Sequence, residues 1–324
     1  VPKTFFVTGA QGCIGSWVVR LILEQGDRAV LFDLQHHDKR LAQVLSAEQL
    51  GAVQRIQGNV TDTDAVHAAI EGCGADAIVH LAGLQVPFCK ADPVLGAQVN
   101  VVGTLNLFEA ARKLGIPRLV YASSAAVYDA AEGHDQVDEN VVPAPATHYG
   151  VYKLANEGSA RIYWQDAQIA SVGLRPLTVY GLGRDQGLTS GPTRALKAAS
   201  LGRPFTIGFD GPTDFLYVAD AARAFVDCAT APLDGAFIFN LHGESRTVQD
   251  AVALMDELLP EDQRGLIQID GPTLPIAPSL SDAALRAAVP NMPCTPLRAG
   301  LAATLDDFRR LHAAGQLPLD DIEN

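Results

Sequence analysis

The 324-residue sequence predicts an α/β fold, a doubly wound parallel sheet with a smaller C-terminal lobe. Three observations predict it. Short β-branched runs alternate with longer helical patterns through the first half. A glycine-spaced stretch, "TGAQGCIG", joins the first such run to the first helical pattern. After Arg175 the alternation gives way to sequence rich in Gly, Pro and Thr.

"KTFFVTG" (3–9) is expected as a buried strand, and "IGSWVVRLILEQG" (14–26) as a helix closed by Gly26. "RAVLFDL" (28–34) and "RIQGNV" (55–60) read as the second and third strands. "TDTDAVHAAIEG" (61–72) reads as a helix whose early Thr and Asp suit an N-terminus. "ADAIVHLAG" (75–83) is the fourth strand, 92–115 a long helix stopped by Gly115 and Pro117, "RLVYASS" (118–124) the fifth strand and "QIASVGLRP" (168–176) the sixth. Beyond them lie a helical piece around "PTRALKAASLG", an apolar helix over 214–229, a strand over 235–243 and a mostly helical remainder. The expected division is a Rossmann domain over 1–180, rejoined by 214–243, and a substrate-binding lobe from 181–213 and 244–324.

Composition narrows the function. Hydrophobic residues at 48% with 19% charged residues describe a folded chain. A net charge of -13, without a basic cluster, disfavours sequence-independent nucleic-acid binding. Cys13, Cys73, Cys89, Cys228 and Cys294 are scattered, with no C-x-x-C pair, so no metal site is expected. Free thiols suit a reducing compartment. No apolar run is long enough to cross a membrane, and a strand pattern begins within a few residues of Val1. A cytoplasmic enzyme acting on a small molecule is the expectation.

Glycines in "TGAQGCIG" have separate tasks. Gly9 permits a tight turn, Gly12 leaves room for a pyrophosphate, and Gly15 lets the helix pack on the sheet. Cys13 and Ile14 supply helix-start N–H groups that face the phosphates. Asp33 ends the second strand, where its carboxylate suits the adenosine ribose and repels a 2′-phosphate. This favours NAD, although Lys39 and Arg40 keep NADP open. Asn59 and Val60 close the third strand as candidate adenine contacts, with a turn role as the alternative for Asn59.

"THYGVYKLANE" (147–157) places Tyr149 and Lys153 at i, i+4, on one helix face. A nearby ammonium is expected to lower the phenol from its usual pKa of about 10, making Tyr149 a general acid or base. Ser123 and Ser124 end the fifth strand, at the sheet edge where ligands gather. Tyr152 reads as packing or a pocket wall, and His80 and His148 as core or turn residues.

These stretches, with "HLAG" (80–83), "VNVVGT" (99–104), "SSAAVY" (123–128), "LRPLTVYG" (174–181) and "DFLYVADAARA" (214–224), resemble an extended short-chain dehydrogenase/reductase. The resemblance is to the branch containing nucleotide-sugar epimerases and dehydratases. It implies NAD held by the glycine loop and Asp33, with Leu81, Ala82, Gly83, Ala122, Ser123 and Pro176 along the cofactor. It implies Ser124, Tyr149 and Lys153 as the catalytic set, and a homodimer packed through the 92–115 and Tyr149 helices.

The pattern also breaks. Ala125 and Ala126 stand where dehydratases of this branch carry an acidic pair. Thr178 replaces an asparagine, Thr213 replaces the arginine that holds a diphosphate, and no arginine precedes "SLSD". Threonine does not replace that charge. A smaller sugar-like or hydroxy-acid substrate is therefore expected, met by Ser123, Ser124, Gln85 and Thr178, with Arg184 and Arg194 as either a carboxylate clamp or surface charge. An NAD-dependent oxidoreductase is the first reading, a nucleotide-sugar epimerase the second, and a silent NAD-binding regulator the third.

Overall fold

The computed structural model describes residues 1–131 and 133–323. Its strands are β1 (Thr4–Thr8), β2 (Arg28–Asp33), β3 (Gln54–Gln57), β4 (Ala77–His80), β5 (Leu119–Ala122), β6 (Ser171–Arg175), β7 (Thr178–Tyr180), β8 (Phe205–Ile207), β9 (Pro212–Tyr217), β10 (Ala236–Asn240), β11 (Glu244–Thr247) and β12 (Ile267–Ile269). Seven of these form one sheet in the order β10-β6-β5-β4-β1-β2-β3, every pair parallel. The expected α/β Rossmann sheet is present.

Alternation along each strand explains how both faces are covered. Phe5, Val7, Leu31, Val79 and Val120 face one side, with Val18 and Ile22 of the Cys13–Glu24 helix and Phe225 of the Val218–Thr230 helix. Phe6, Val30, Phe32, Ile78 and Leu119 face the other, with Val66 and Ile70 of the Thr63–Cys73 helix and Leu107 of the Gly103–Leu114 helix. Apolar demand on both faces is why the strands read as nearly continuous hydrophobic runs. Strand order reverses between β1 and β4, which opens a crevice beyond their carboxyl ends.

The lobe departs from expectation. Residues 212–217 are a strand, and the helix begins only at Val218. Backbone pairing with β7 and β11 claims the "TDFLY" segment for a small sheet, β11-β9-β7. β8 and β12 pair in a second. Such three- to six-residue strands carry too little periodicity to be separated from apolar helix. The expected 92–115 helix is also interrupted. α-Helix at Pro93–Ala97 passes through a π turn at Gln98–Val102 before resuming at Gly103.

Beneath the crevice lies a buried charge cluster. Glu157, on the His148–Ala167 helix, accepts from Arg175 Nε at 2.7 Å and Nη2 at 2.6 Å, and from Ser123 Oγ at 2.5 Å. Arg175 also donates to the Tyr128 hydroxyl, which donates to Asn240 Oδ1 at 3.0 Å. Burial works against the Arg175 charge, but Glu157 and Tyr128 outweigh it and hold the guanidinium pKa above its ordinary value. Glu157→Gln keeps the shape and strands the Arg175 charge. We expect it to lower unfolding free energy by about 3–5 kcal/mol in urea denaturation; an unchanged midpoint would show that the pair does not anchor the helix.

Candidate active site

Sterics fix the phosphate loop. Gly9 has φ +64°, and a Cβ there would lie 2.5 Å from the Ala82 nitrogen. A Cβ on Gly15 would collide with the Gly9 carbonyl oxygen. Gly12 caps the Cys13–Glu24 helix with no side-chain hydrogen bond, and the first turn carries no acidic residue. Its N–H groups, those of Cys13 and Ile14 included, are therefore available to an anion. Burial pushes the Cys13 thiol up to about 11, against the lowering pull of Arg184 and Arg40, so it is no nucleophile near neutral pH.

Asp33 accepts the Gln11 N–H at 3.0 Å at the end of β2. Burial raises its carboxyl pKa, opposed by N–H groups of Gln11 and Ala10 and by His37 and His36. Gln11, absent from the sequence-based set, bridges the two loops: its amide donates to Gln35 O at 2.5 Å and accepts from His37 N at 2.6 Å. The cations that kept NADP open are engaged elsewhere. Lys39 pairs with Asp320 at 2.6 Å and Arg40 with Asp185 at 2.5 Å. Asn59 Oδ1 accepts Thr61 N at 3.0 Å as an exposed turn residue. Val60 is 7% exposed and its side chain packs against Gly103, which leaves its backbone for an adenine contact.

The proton-transfer group assembles across two elements. Thr147 caps the His148–Ala167 helix by accepting Gly150 N at 3.1 Å. Gly150 lies so close to the Ala126 carbonyl that a Cβ would clash, which seats the helix on the turn after Ser124. Ser124 Oγ accepts Ala126 N at 3.1 Å and lies near enough to the Tyr149 phenol to lower its pKa. Lys153 is 4% exposed, with Nζ 5.5 Å from the Tyr149 ring centre.

Protonation runs against the sequence expectation. Burial raises the Tyr149 phenol above its ordinary value, while Ser124 and Arg184 hold it down. The lysine ammonium lies over the ring, and desolvation of the phenol prevails. Burial also lowers Lys153 to about 8, opposed by Cys89 and Glu157.

Leu81, Ala82 and Gly83 follow β4; a Cβ on Gly83 would lie 2.6 Å from Asn100 Oδ1 and 3.5 Å from Lys153 Nζ. Asn100 is a second residue that sequence reasoning passed over, although it sits inside the quoted "VNVVGT". The π turn aims it inward at 1% exposure, where it accepts Leu84 N at 3.1 Å and donates to Leu84 O at 3.1 Å. Asn156 donates to its carbonyl at 2.8 Å, tying this loop to the Lys153 helix. Glu157, the last residue of "THYGVYKLANE", is a third.

Several substrate candidates need correction. Ser123 is 1% exposed and gives its hydroxyl to Glu157. Thr178 is fully buried, its Oγ1 2.7 Å from Thr213 Oγ1, so the two altered diphosphate positions satisfy each other. Arg194 donates to the Asp321 carbonyl and lies 5.0 Å from the Phe205 ring centre. Gln85 Oε1 would meet a Cβ on Gly187 at 2.5 Å, and Arg184 Nη2 would meet it at 3.0 Å, so Gln85 reaches the 183–190 loop that carries Arg184. Ala122 and Pro176 follow the backbone at the ends of β5 and β6. Outside this point is a cavity of about 480 Å³, lined by Gln85, Phe88, Asp185, Leu188, Arg194 and Asp320; Tyr149 does not line it. Tyr152 donates to Pro93 O at 2.8 Å and stacks on His148. Among the described residues no cluster of three metal-ligating side chains occurs, and no helix is long and apolar enough to cross a membrane.

His80 Nδ1 lies 2.6 Å from Thr8 Oγ1 and Nε2 3.0 Å from Thr104 Oγ1. Burial, helped by the Lys153 charge, lowers it to about 3. The unfolded chain therefore binds a proton below about pH 6.5 that the folded chain refuses. Stability contributed by neutral His80 is present above about pH 6.5 and is lost as pH falls toward about 3. Thermal midpoints measured from about pH 7 to about pH 4 should fall, and less steeply in His80→Gln; equal slopes would exclude His80 as the cause.

Comparison with known proteins was consistent with this geometry. Residues 5–241 match the NAD dependent epimerase/dehydratase family. UDP-glucose 4-epimerase of Mycolicibacterium smegmatis is 33% identical over 241 residues, 72% of this chain and 75% of that protein. 3 beta-hydroxysteroid dehydrogenase type 7 of Mus musculus is 34% identical over 191 residues, 55% of this chain and 51% of that one. The crystal structure of Thermus thermophilus UDP-glucose 4-epimerase in complex with NAD superposes with TM-score 0.79 at 26% identity, covering 95% of this chain and 99% of that one.

Proposed function

The chain belongs to the NAD dependent epimerase/dehydratase family of extended short-chain dehydrogenases/reductases, and from that premise we propose an oxidoreductase acting on a hydroxyl or keto group of a small sugar-like or hydroxy-acid substrate. The observation that carries it is the proximity of Ser124, Tyr149 and Lys153, with Lys153 Nζ 5.5 Å from the Tyr149 ring centre, near the strand ends that also hold the phosphate loop. The crevice fits NAD: uncapped N–H groups at the helix start, no side chain at Gly12, and Asp33 for the ribose. Held there by the phosphate loop and Asp33, NAD would supply or take up the hydride.

The side chains do the proton work. Ser124 donates a hydrogen bond to the reacting oxygen and holds it against Tyr149. With its phenol held protonated, Tyr149 is ready to donate to the oxygen of a ketone as the carbon gains hydride. In the reverse direction Tyr149 must first lose its proton, then take the hydroxyl proton while hydride leaves the carbon. Ser124 and Arg184 favour the phenolate that this direction requires. Lys153, aimed past Gly83, also suits the nicotinamide ribose.

The Thr178–Thr213 pair supports the small substrate. Two buried hydroxyls that satisfy each other offer neither the charge nor the fork an arginine gives a diphosphate. Similarity to UDP-glucose 4-epimerases favours the second reading, an epimerase in which hydride returns to the same substrate and NAD shows no net turnover. A panel of polyols, aldoses and sugar acids with NAD should produce NADH absorbance. No NADH from any of them, together with epimerisation of a UDP-sugar, decides for the epimerase. In Tyr149→Phe, turnover should fall by at least about a hundredfold with NAD affinity retained.

The second copy and the compartment belong to the same proposal. Val94, Leu95 and Val102 on one side, and Val151 and Ile162 on the other, are 42–69% exposed. They lie on the two helical elements that would pack in a homodimer, and covering them buries apolar surface. Light scattering should give a mass near twice 34.3 kDa, and Val151→Glu should shift it toward the monomer; a monomeric unmodified chain rules the dimer out. Five free thiols support a cytoplasmic setting, which cell fractionation would check.

A further inference from the structure

We infer that Arg184 binds the diphosphate of the cofactor, delivered from the lobe side by a clasp that crosses the phosphate loop. The clasp is the segment Leu182–Asp185, directly after β7. Trp17 Nε1, on the phosphate-binding helix, donates to Leu182 O at 3.0 Å. Arg40 Nε donates to Gly183 O at 3.1 Å and Nη2 to Asp185 Oδ1 at 2.5 Å. The same guanidinium donates from Nη1 to Gln11 O at 3.2 Å, so one side chain joins the glycine loop to the clasp. Gly183 adopts φ +93°, and a Cβ there would lie only 3.8 Å from Cys13 Cα. The backbone thus runs across the first residue of the helix whose N–H groups face the phosphates.

Arg184 is presented at that crossing. Its Nε is buried with no hydrogen-bond partner among the described residues, and its bond from Nη2 to Thr189 Oγ1 is long, at 3.3 Å. A buried donor without an acceptor is costly and calls for one. The guanidinium charge lowers the pKa of both the Cys13 thiol and the Tyr149 phenol. Neighbouring cations are engaged: Lys39 with Asp320, Arg40 with Asp185, Lys197 with Asp321, and Arg194 with the Asp321 carbonyl. The loop itself contributes N–H dipoles but no full charge against two phosphates. Arg184 therefore completes the charge balance of the bound cofactor, and a substrate carboxylate clamp is the displaced alternative. A clasp crossing the start of the phosphate-binding helix would cover a diphosphate held there, and opening of the Arg40–Asp185 pair would then speed NAD exchange.

The inference rests on NAD as cofactor and not on the substrate. Binding is measured without substrate, by calorimetry, for NAD, ADP-ribose and adenosine. Arg184→Gln should weaken NAD and ADP-ribose together by about tenfold to a hundredfold, and leave adenosine binding unchanged, which also reports an intact fold. Arg184→Lys should recover part of the loss, and Asp185→Asn should speed NAD dissociation in stopped-flow fluorescence. NAD and ADP-ribose affinities within about twofold of the unmodified protein, with only substrate KM raised, would overturn the assignment in favour of the carboxylate clamp. An unmodified chain that binds no NAD would be a separate failure, that of the cofactor itself.

Discussion

The site depends on the buried pair of Glu157 and Arg175. Glu157 lies on the same helix as Tyr149 and Lys153, one turn beyond the lysine. Its carboxylate holds Arg175 at the end of β6 and Ser123 at the end of β5. Ser124 is the next residue along. The register of Ser124 against Tyr149 is thus set from beneath by a charge pair that water scarcely reaches. Desolvation makes such a pair costly to assemble, but once assembled it tolerates few alternative geometries. A hydrophobic contact of the same size would allow the helix to slide; a forked guanidinium on a carboxylate does not. Gly150 against the Ala126 carbonyl adds the steric half of the same constraint.

Much of this was legible in the residues, for physical reasons. β1 and its loop are readable because only glycine fits where a Cβ would strike Ala82 or the Gly9 carbonyl. Tyr149 and Lys153 are readable because helical periodicity puts them on one face. What stayed hidden depends on contacts between distant parts of the chain. Thr178 and Thr213 look like two independent losses in the sequence, and the structure makes them one mutually satisfied pair. Ser123 and Ser124 are neighbours in sequence, yet strand geometry sends one to Glu157 and the other toward Tyr149. Spacing misleads on the direction of the Tyr149 shift, because it shows that an ammonium is near but not how much water is gone. Short strands such as β8 and β12 leave no periodic signal at all.

Charge around the cleft is almost wholly paired across segments far apart in sequence. Lys39 meets Asp320, Arg40 meets Asp185 and Lys197 meets Asp321. Residues near the end of the described chain therefore help form the wall beside the lobe loop, where Asp320 and Asp321 line the outer cavity. With an overall charge of -13, these pairs keep local positive charge from being exposed at the entrance. An anionic ligand meets compensated charge until it reaches the phosphate loop and Arg184.

The π turn at Gln98–Val102 has a consequence for how the family's insertions and deletions can be read. A single residue added to an α-helix rotates everything beyond it by about 100°. Here the wide turn absorbs that rotation, so Val94 and Leu95 upstream and Val102 downstream remain on the outside while Asn100 points in. One helical element therefore serves two neighbours whose geometric demands are out of phase, an inner loop and an outer surface. Losing a residue of this turn other than Asn100 would remove none of the inner polar side chains. It would instead place the two ends of the element in conflict, with one of them facing the wrong way.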